Sequence, residues 1–467
     1  MEFPSNWENR FPAWILFFTV ALAPLPFGST DASAEAFWCI VLGVGVITLS
    51  PIRLRRAHLR LLLVVAIVVA AYTVLLHEQL ALNPWFPSAQ PSPLWAQTSE
   101  LLKIPLEPTV SIARHQPFYA LGAPFIALLT VVCAFVVCYD RNRALQLLKV
   151  VAWSGVAYAI FGFAFFLIDP TKVLWREKQA YLTFLTSTFI NRNTAAVYFG
   201  SCAIIWLLFV SENIRNHVVQ KRIAWRHVFS RLLLKMPRHV LMPFLMLLVC
   251  ISAMFMTGSR AGIILSLAAL VFTATAHFYR DISGRFGPII AILIGSALAL
   301  ILLQTLGVGV SDRFNTQGLS DELRFDTYRS TRAIIADHLW FGTGIGTFPW
   351  SFPAYRAPEG LMWGTWDRSH NTLLEIISEG GLPLAITICL AWVIALLTLV
   401  RGIMIRRRDR IVPIAAFAIS AVALMHSAID FSIQIPGFAI TVFAVLGAGL
   451  VQSFPSKPLD KSSQWQR

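Results

Sequence analysis

The sequence predicts an all-α polytopic membrane protein of about twelve transmembrane helices, with one large polar loop that contains short helices. Three observations lead there. Of 467 residues, 57% are hydrophobic and only 13% charged, and the mean hydropathy is +0.66. A soluble domain carries roughly 25% charged residues, so this chain has too few to cover a water-facing surface. Many apolar runs reach the roughly 20 residues that a hydrocarbon core about 30 Å thick requires. Finally, the basic residues alternate in clusters between the apolar runs.

The spans run approximately 13–28, 34–50, 59–77, 118–138, 147–168, 194–211, 240–258, 260–277, 288–306, 383–400, 411–430 and 436–454. Each is expected to be helical, because backbone polar groups in lipid must be satisfied internally. This count puts Arg53, Arg55, Arg56, Arg60, Arg141, Arg143, the segment from Arg215 to Arg238 and the cluster from Arg401 to Arg410 on one side. That side holds 25 Lys and Arg against 7 acidic residues, net +18; the other holds 13 against 17, net −4. Cytoplasmic loops collect Lys and Arg, so the first side is inside and both termini are cytoplasmic. An odd number of spans would turn one basic cluster outward. Topology thus accounts for the overall charge of +14, and no nucleic-acid partner is needed.

Residues 1–306 then hold nine helices and two long outward loops, 78–117 and 169–193. Residues 307–382 form the large outward loop, 383–454 the last three helices, and 455–467 a polar cytoplasmic tail. The N-terminus lacks a basic n-region and a small-residue cleavage site, so the first apolar run reads as a retained span. Loop 78–117 is Pro-rich and has too few alternating apolar residues for strands. The six cysteines lie within or at the edge of apolar runs with no CxxC spacing, which fits small buried side chains better than a disulfide or metal site.

In the large loop, Ser320 is placed to cap a helix that opens Asp321-Glu322 and runs to about His338. Arg324, Tyr328 and Arg332 fall at i, i+4 and i+8 on one strip, with Arg329 nearby. A solvated helix face would look the same. A glycine-rich turn follows (Gly342, Gly344, Gly346), then an aromatic- and Pro-rich connection. A short helix opens near His370-Asn371 with Asn371 as its cap, ends at Gly380-Gly381, and Pro383 begins the next span.

These residue types point to anion handling and proton transfer. Arg260, in the short outward turn Thr257-Gly258-Ser259-Arg260-Ala261-Gly262, must lie at the mouth of the bundle. A headgroup-level anchor is one role for it. A phosphate site is the other, since a guanidinium forms bidentate contacts and never deprotonates. A diphosphate would draw several cations from separate elements. His370 is either structural or a near-neutral base. Glu375 and Glu379, one turn apart, orient it, bind an acceptor, or are exposed helix charges. No Walker A sequence, HExxH, DxD-like pair or G-x-S-x-G elbow occurs, so no metal or other cofactor is expected. A secondary transporter would carry ionisable groups within its spans, where here only Asp430 comes close.

Ser259-Arg260-Ala261-Gly262 resembles the O-antigen ligase and polymerase superfamily of bacterial cell-surface glycan assembly. So do Arg324 with an aromatic four residues on, Asp337-His338, Gly342-x-Gly344-x-Gly346-x-Phe348, and His370-Asn371-x-x-Leu374-Glu375 with Glu379-Gly380-Gly381. Phe189-Ile190-Asn191-Arg192-Asn193 is similar to a further segment of that group, which adds Arg192 to the substrate-binding candidates. Leu339 stands where the family usually has proline, and Tyr328 where tryptophan is frequent. The resemblance implies a twelve-span, metal-independent inverting glycosyltransferase of the bacterial inner membrane with a periplasmic site. Its donor would be an undecaprenyl-diphosphate-linked glycan. The acceptor would be the lipid A–core oligosaccharide for a ligase, or a second lipid-linked glycan for a polymerase. The family's functional arginines map onto Arg260 and Arg324, and its loop histidine onto His370. A transporter of lipid-linked glycan is the alternative from another class.

Overall fold

The computed structural model describes residues 9–50, 54–220, 236–280, parts of 292–301, 322–356, 365–406 and 410–454. The predicted ninth span, the Ser320 cap and the tail fall wholly or largely outside these residues. The described chain is mostly helical, and its strands form one short antiparallel hairpin, β1 (Lys172–Val173) and β2 (Arg176–Glu177).

Its apolar helices are α1 (Arg10–Leu22), α2 (Ala32–Ile47), α3 (Arg56–Leu80), then past α4 (Leu94–Leu102) α5 (Pro117–Ala120) with α6 (Gly122–Val137), α7 (Arg141–Ile168), α8 (Arg192–Gln220), α9 (Arg238–Met256) and α10 (Arg260–Phe278). Two short helices follow, α11 (Glu322–Asp337) and α12 (Phe348–Tyr355). The chain closes with α13 (Thr372–Ile405), α14 (Ile411–Ser427) and α15 (Pro436–Gln452). Seven stretches are long and apolar enough to cross a membrane: α3, α5 with α6, α7, α8, α9, α10 and α13. Helices α1, α2, α14 and α15 are apolar but shorter. This is a multi-pass membrane protein.

Helix α8 is the core of the bundle. Of its most apolar 18-residue window 89% is buried, against 11% for α3, although α3 is the more hydrophobic of the two. It packs against α7, α9, α10 and α14, while α15 fills the space between α6 and α14. Polar atoms in this core find carbonyls on neighbouring helices. Trp206 Nε1 donates to Ala152 O (3.0 Å), Tyr158 OH to Ala21 O (2.7 Å) and Gln452 Nε2 to Cys138 O (2.7 Å). All six cysteines are free.

The end of α3 ties the polar segments together. Buried Gln79 donates through Nε2 to Phe341 O (2.6 Å) and Glu379 O (2.7 Å), and its Oε1 accepts from Ile345 N (3.1 Å). Its neighbour Glu78 accepts from Trp85 N and Phe86 N at 3.2 and 3.0 Å, which anchors the start of the Pro-rich loop. That loop contains the short α4, which the sequence pattern does not announce.

Helix α13 breaks at Gly381 (φ 75°, ψ 170°), and a side chain there would overlap the Trp340 carbonyl. Only glycine suits that position. Pro383 then opens the membrane half of α13, as the sequence predicts.

Candidate active site

Five elements meet at one end of the bundle: the first turns of α8, α10 and α13, the helix α11, and the connection between α14 and α15. Asn371 caps α13 as predicted, its side chain accepting from Leu374 N at 3.0 Å. His370, just before the cap, has φ 55°. A left-handed conformation costs a non-glycine residue on the order of 1–2 kcal/mol, so the surroundings must impose it. Two groups do so. Tyr328 OH of α11 donates to His370 O (3.0 Å), and the imidazole packs between Trp366 and Phe431, with ring centroids 5.6 and 5.1 Å away.

The centre of the arrangement is Asp430, fully buried in the α14–α15 connection. Its Oδ1 lies 3.5 Å from His370 Nδ1 and accepts from Phe431 N (2.8 Å). Its Oδ2 lies 3.7 Å from Arg324 Nη2 and accepts from Asn193 Nδ2 at the start of α8. Arg324 Nη1 also donates to Ile429 O (2.7 Å). Asn371 Nδ2 donates to Ala428 O (2.8 Å) and Thr372 Oγ1 to Asp430 O (3.2 Å), so α13 holds the same connection. Burial pushes the Asp430 carboxyl up. The hydrogen-bonding contact with His370 and the charges of His426, Arg324 and His370 outweigh burial and hold it well below the usual carboxylate range. It is an anion placed between a guanidinium and an imidazole.

Arg260 opens α10, capped by Ser259, whose Oγ accepts from Gly262 N (3.4 Å). A side chain at Gly262 would come 2.6 Å from the Ala196 Cβ, so α10 starts beside the first turn of α8. Arg192 at that turn lies over the rings of Tyr181 and Phe184, 4.7 and 4.5 Å from their centroids, and Phe184 also packs on Gly258. Arg260 and Arg192 therefore stand at the same end of the bundle as Asn193, Asp430, Arg324 and His370.

The other candidates are arranged differently. Arg329 is 70% exposed and pairs with Asp326 at 3.7 Å, one turn away. Arg332 is exposed, with Nε donating to Tyr328 O (3.3 Å). Glu375 turns toward the loop before α13, where it accepts from Arg368 Nη1 (3.1 Å) and Ser369 N (2.8 Å). Glu379 closes the glycine-rich turn, accepting from Gly346 N (3.0 Å) and Phe348 N (2.9 Å). Neither glutamate has a hydrogen bond to His370 among the described residues. At Asp337, Tyr355 OH donates 2.8 Å to the carboxylate, and its own pKa is pushed up to about 12 by burial and by that neighbour. No group of three or more His, Cys, Asp or Glu side chains able to hold a metal ion occurs among the described residues.

Asp430, Asn193, Arg368 and Gln79 do work here that pattern reasoning did not assign. For Asp430 a signal existed, as it is an acid at a span end in a chain whose spans hold almost no charge.

Residues 245–389 match the family model described as O-antigen ligase. This stretch, under half of the chain, is similar to the O-antigen ligase family. The matched stretch of this O-antigen ligase-like chain runs from within α9 to within α13 and contains Arg260, Arg324 and His370, whereas Asp430 and Asn193 lie outside it. No curated protein sequence matches the chain.

Proposed function

We propose that this protein is an inverting glycosyltransferase that moves a glycan from undecaprenyl diphosphate to an acceptor hydroxyl at the periplasmic face of the inner membrane. In the ligase form of this reading the hydroxyl belongs to lipid A–core. The observation that carries it is the meeting of Arg324 and His370 on the buried Asp430, at the end of the bundle where α10 presents Arg260.

The acceptor oxygen attacks the anomeric carbon as the bond to the diphosphate oxygen breaks, and the electron pair leaves with the diphosphate. Asp430 beside Nδ1 favours the tautomer with its proton there, which leaves Nε2 to take the proton of the attacking hydroxyl. Arg260 and Arg324 neutralise the charge that builds on the leaving diphosphate. Asp430 offsets part of the Arg324 charge. A diphosphate is already a good leaving group, and positioning carries much of the rate. Arg192 and Asn371 shape the donor and acceptor sides, and Arg329 and Arg332 supply an outer ring of positive charge.

The test is reconstitution of purified protein with a lipid-linked donor and candidate acceptors, without added metal or nucleotide. Formation of a glycosidic bond that Arg324→Ala abolishes supports the reading; lipid movement without bond formation supports a transporter instead. A deletion strain separates the two enzyme forms. Loss of all attached glycan with accumulated long lipid-linked chains indicates a ligase, and a single attached repeat unit indicates a polymerase.

A further inference from the structure

A cavity of about 670 Å³ lies between α2, α3, α6, α13, α14 and α15, within the range of roughly 300–1,000 Å³ typical of small-molecule sites. None of Arg192, Arg260, Arg324 or His370 lines it. Its two ends differ in chemistry. One is walled by Glu35, Arg368, Glu375 and Gln434; the rest is apolar, through residues such as Val65, Leu128, Ile388, Trp392 and Leu450. Beyond its break at Gly381, helix α13 follows the cavity from Leu384 to Ala395, about 17 Å at a rise of 1.5 Å per residue. That is a length suited to a hydrocarbon chain.

The charges select the headgroup. The lining holds four carboxylates (Glu35, Asp367, Glu375, Glu379) and one guanidinium, Arg368, which already donates to Glu375 (3.1 Å) and Gln434 (2.6 Å). A diphosphate brought here would meet a surplus of like charge. A sugar would not. Its hydroxyls can donate to the remaining lone pairs of the carboxylates and of the Gln434 carbonyl, and accept from the unused N–H groups of Arg368. The polar end is also next to the chemistry. Gln434 Nε2 donates to Thr372 Oγ1 (3.3 Å), and Thr372 Oγ1 donates to Asp430 O (3.2 Å), so a single wall separates the cavity from the Asp430 cluster.

We infer that this cavity seats the hydrocarbon chain of the acceptor lipid, with a hydroxyl-rich, uncharged part of its headgroup held between Glu35, Arg368 and Gln434. The inference rests on the glycosyl-transfer reading and adds that donor and acceptor lipids occupy different places, divided by the first turn of α13.

The test uses an octadecyl glucoside with a photoreactive diazirine in its chain, added to the protein in vesicles of phosphatidylethanolamine and phosphatidylglycerol. Crosslinks are expected on Leu61–Tyr72 of α3 and Leu384–Ala395 of α13, competed by unlabelled octadecyl glucoside and not by undecaprenyl diphosphate. Ala391→Trp, which fills the cavity, should reduce the crosslink and raise the acceptor KM about tenfold with kcat nearly unchanged, the pattern of lost ground-state binding. Crosslinks spread over the lipid-facing helices, or competition by the diphosphate as strong as by the glucoside, would overturn the inference. Arg324→Ala separates the two readings. It should lose transfer and keep the crosslinks; if it keeps transfer, the assignment of the arginines fails while the cavity result stands or falls by its own crosslinks.

Discussion

Asp430 is the side chain on which the cluster turns, because it is the buried anion that both Arg324 and His370 approach. Replacing it by asparagine removes the negative charge that the guanidinium and the imidazole both face. Removing one partner of a buried ion pair costs about 3–5 kcal/mol, so Asp430→Asn should melt well below the parent protein and lose transfer. The pH dependence has a definite sign. The folded-state pKa is depressed, so the stabilisation is fully present above the unfolded value of about 3.9 and fades as pH falls toward the lower folded value. The stability difference between the parent and Asp430→Asn should therefore shrink as pH falls below about pH 4, as read by denaturant unfolding in detergent. A difference that stays constant as pH falls to about 2 would point to another group. At Arg324, alanine should lower kcat by roughly 10²-fold or more, in line with the loss of one preorganised charge-stabilising donor. Lysine there should restore little, since it keeps the charge and loses the planar fork.

Among the elements, the glycine-rich turn and the first half of α13 form one unit, and Glu379 is its fastener. Both carboxylate oxygens accept backbone N–H groups of the turn, and Gln79 ties the same backbone to α3. Glu379→Ala strips two N–H groups of their acceptor, each worth about 1–3 kcal/mol if it stays buried. Hydrogen exchange should rise selectively at 342–348 while the core of α8 keeps its protection. Uniform protection across that turn would show that Glu379 is not what holds it. The sequence made Glu379 legible as a charge one turn beyond Glu375. It could not show that the carboxylate turns inward, because the acceptors' partners lie more than 30 residues away in the chain. Capping was easier to read. Asn371 was recognisable from its place before an apolar run, and its bond to Leu374 N spans only three residues.

For the assembled bundle, the basic clusters predict which end faces the cytoplasm. Arg329→Cys offers a direct check, since this position is 70% exposed at the end that carries the cluster. A membrane-impermeant maleimide should label it in intact spheroplasts. Labelling that needs permeabilisation would place the cluster inside and remove the periplasmic reaction. Apolar runs long enough to span were plain from composition. The positions of Arg260, Arg324 and His370 could be picked out by residue type and neighbouring motif.

Which helix is central was not legible, and the physical reason is general. A helix facing lipid and a helix packed inside the bundle need the same apolar side chains, so hydropathy ranks α3 above α8 although α8 is the buried one. The same degeneracy hid the function of Asp430. A lone acid near a span end is only an anomaly in one dimension; it becomes a counter-ion when Asn193, Arg324 and His370, up to 237 positions away, fold onto it. Periodicity and charge count are local sums along the chain, and they predict topology. Pairing of distant charges depends on packing, and packing is decided in three dimensions.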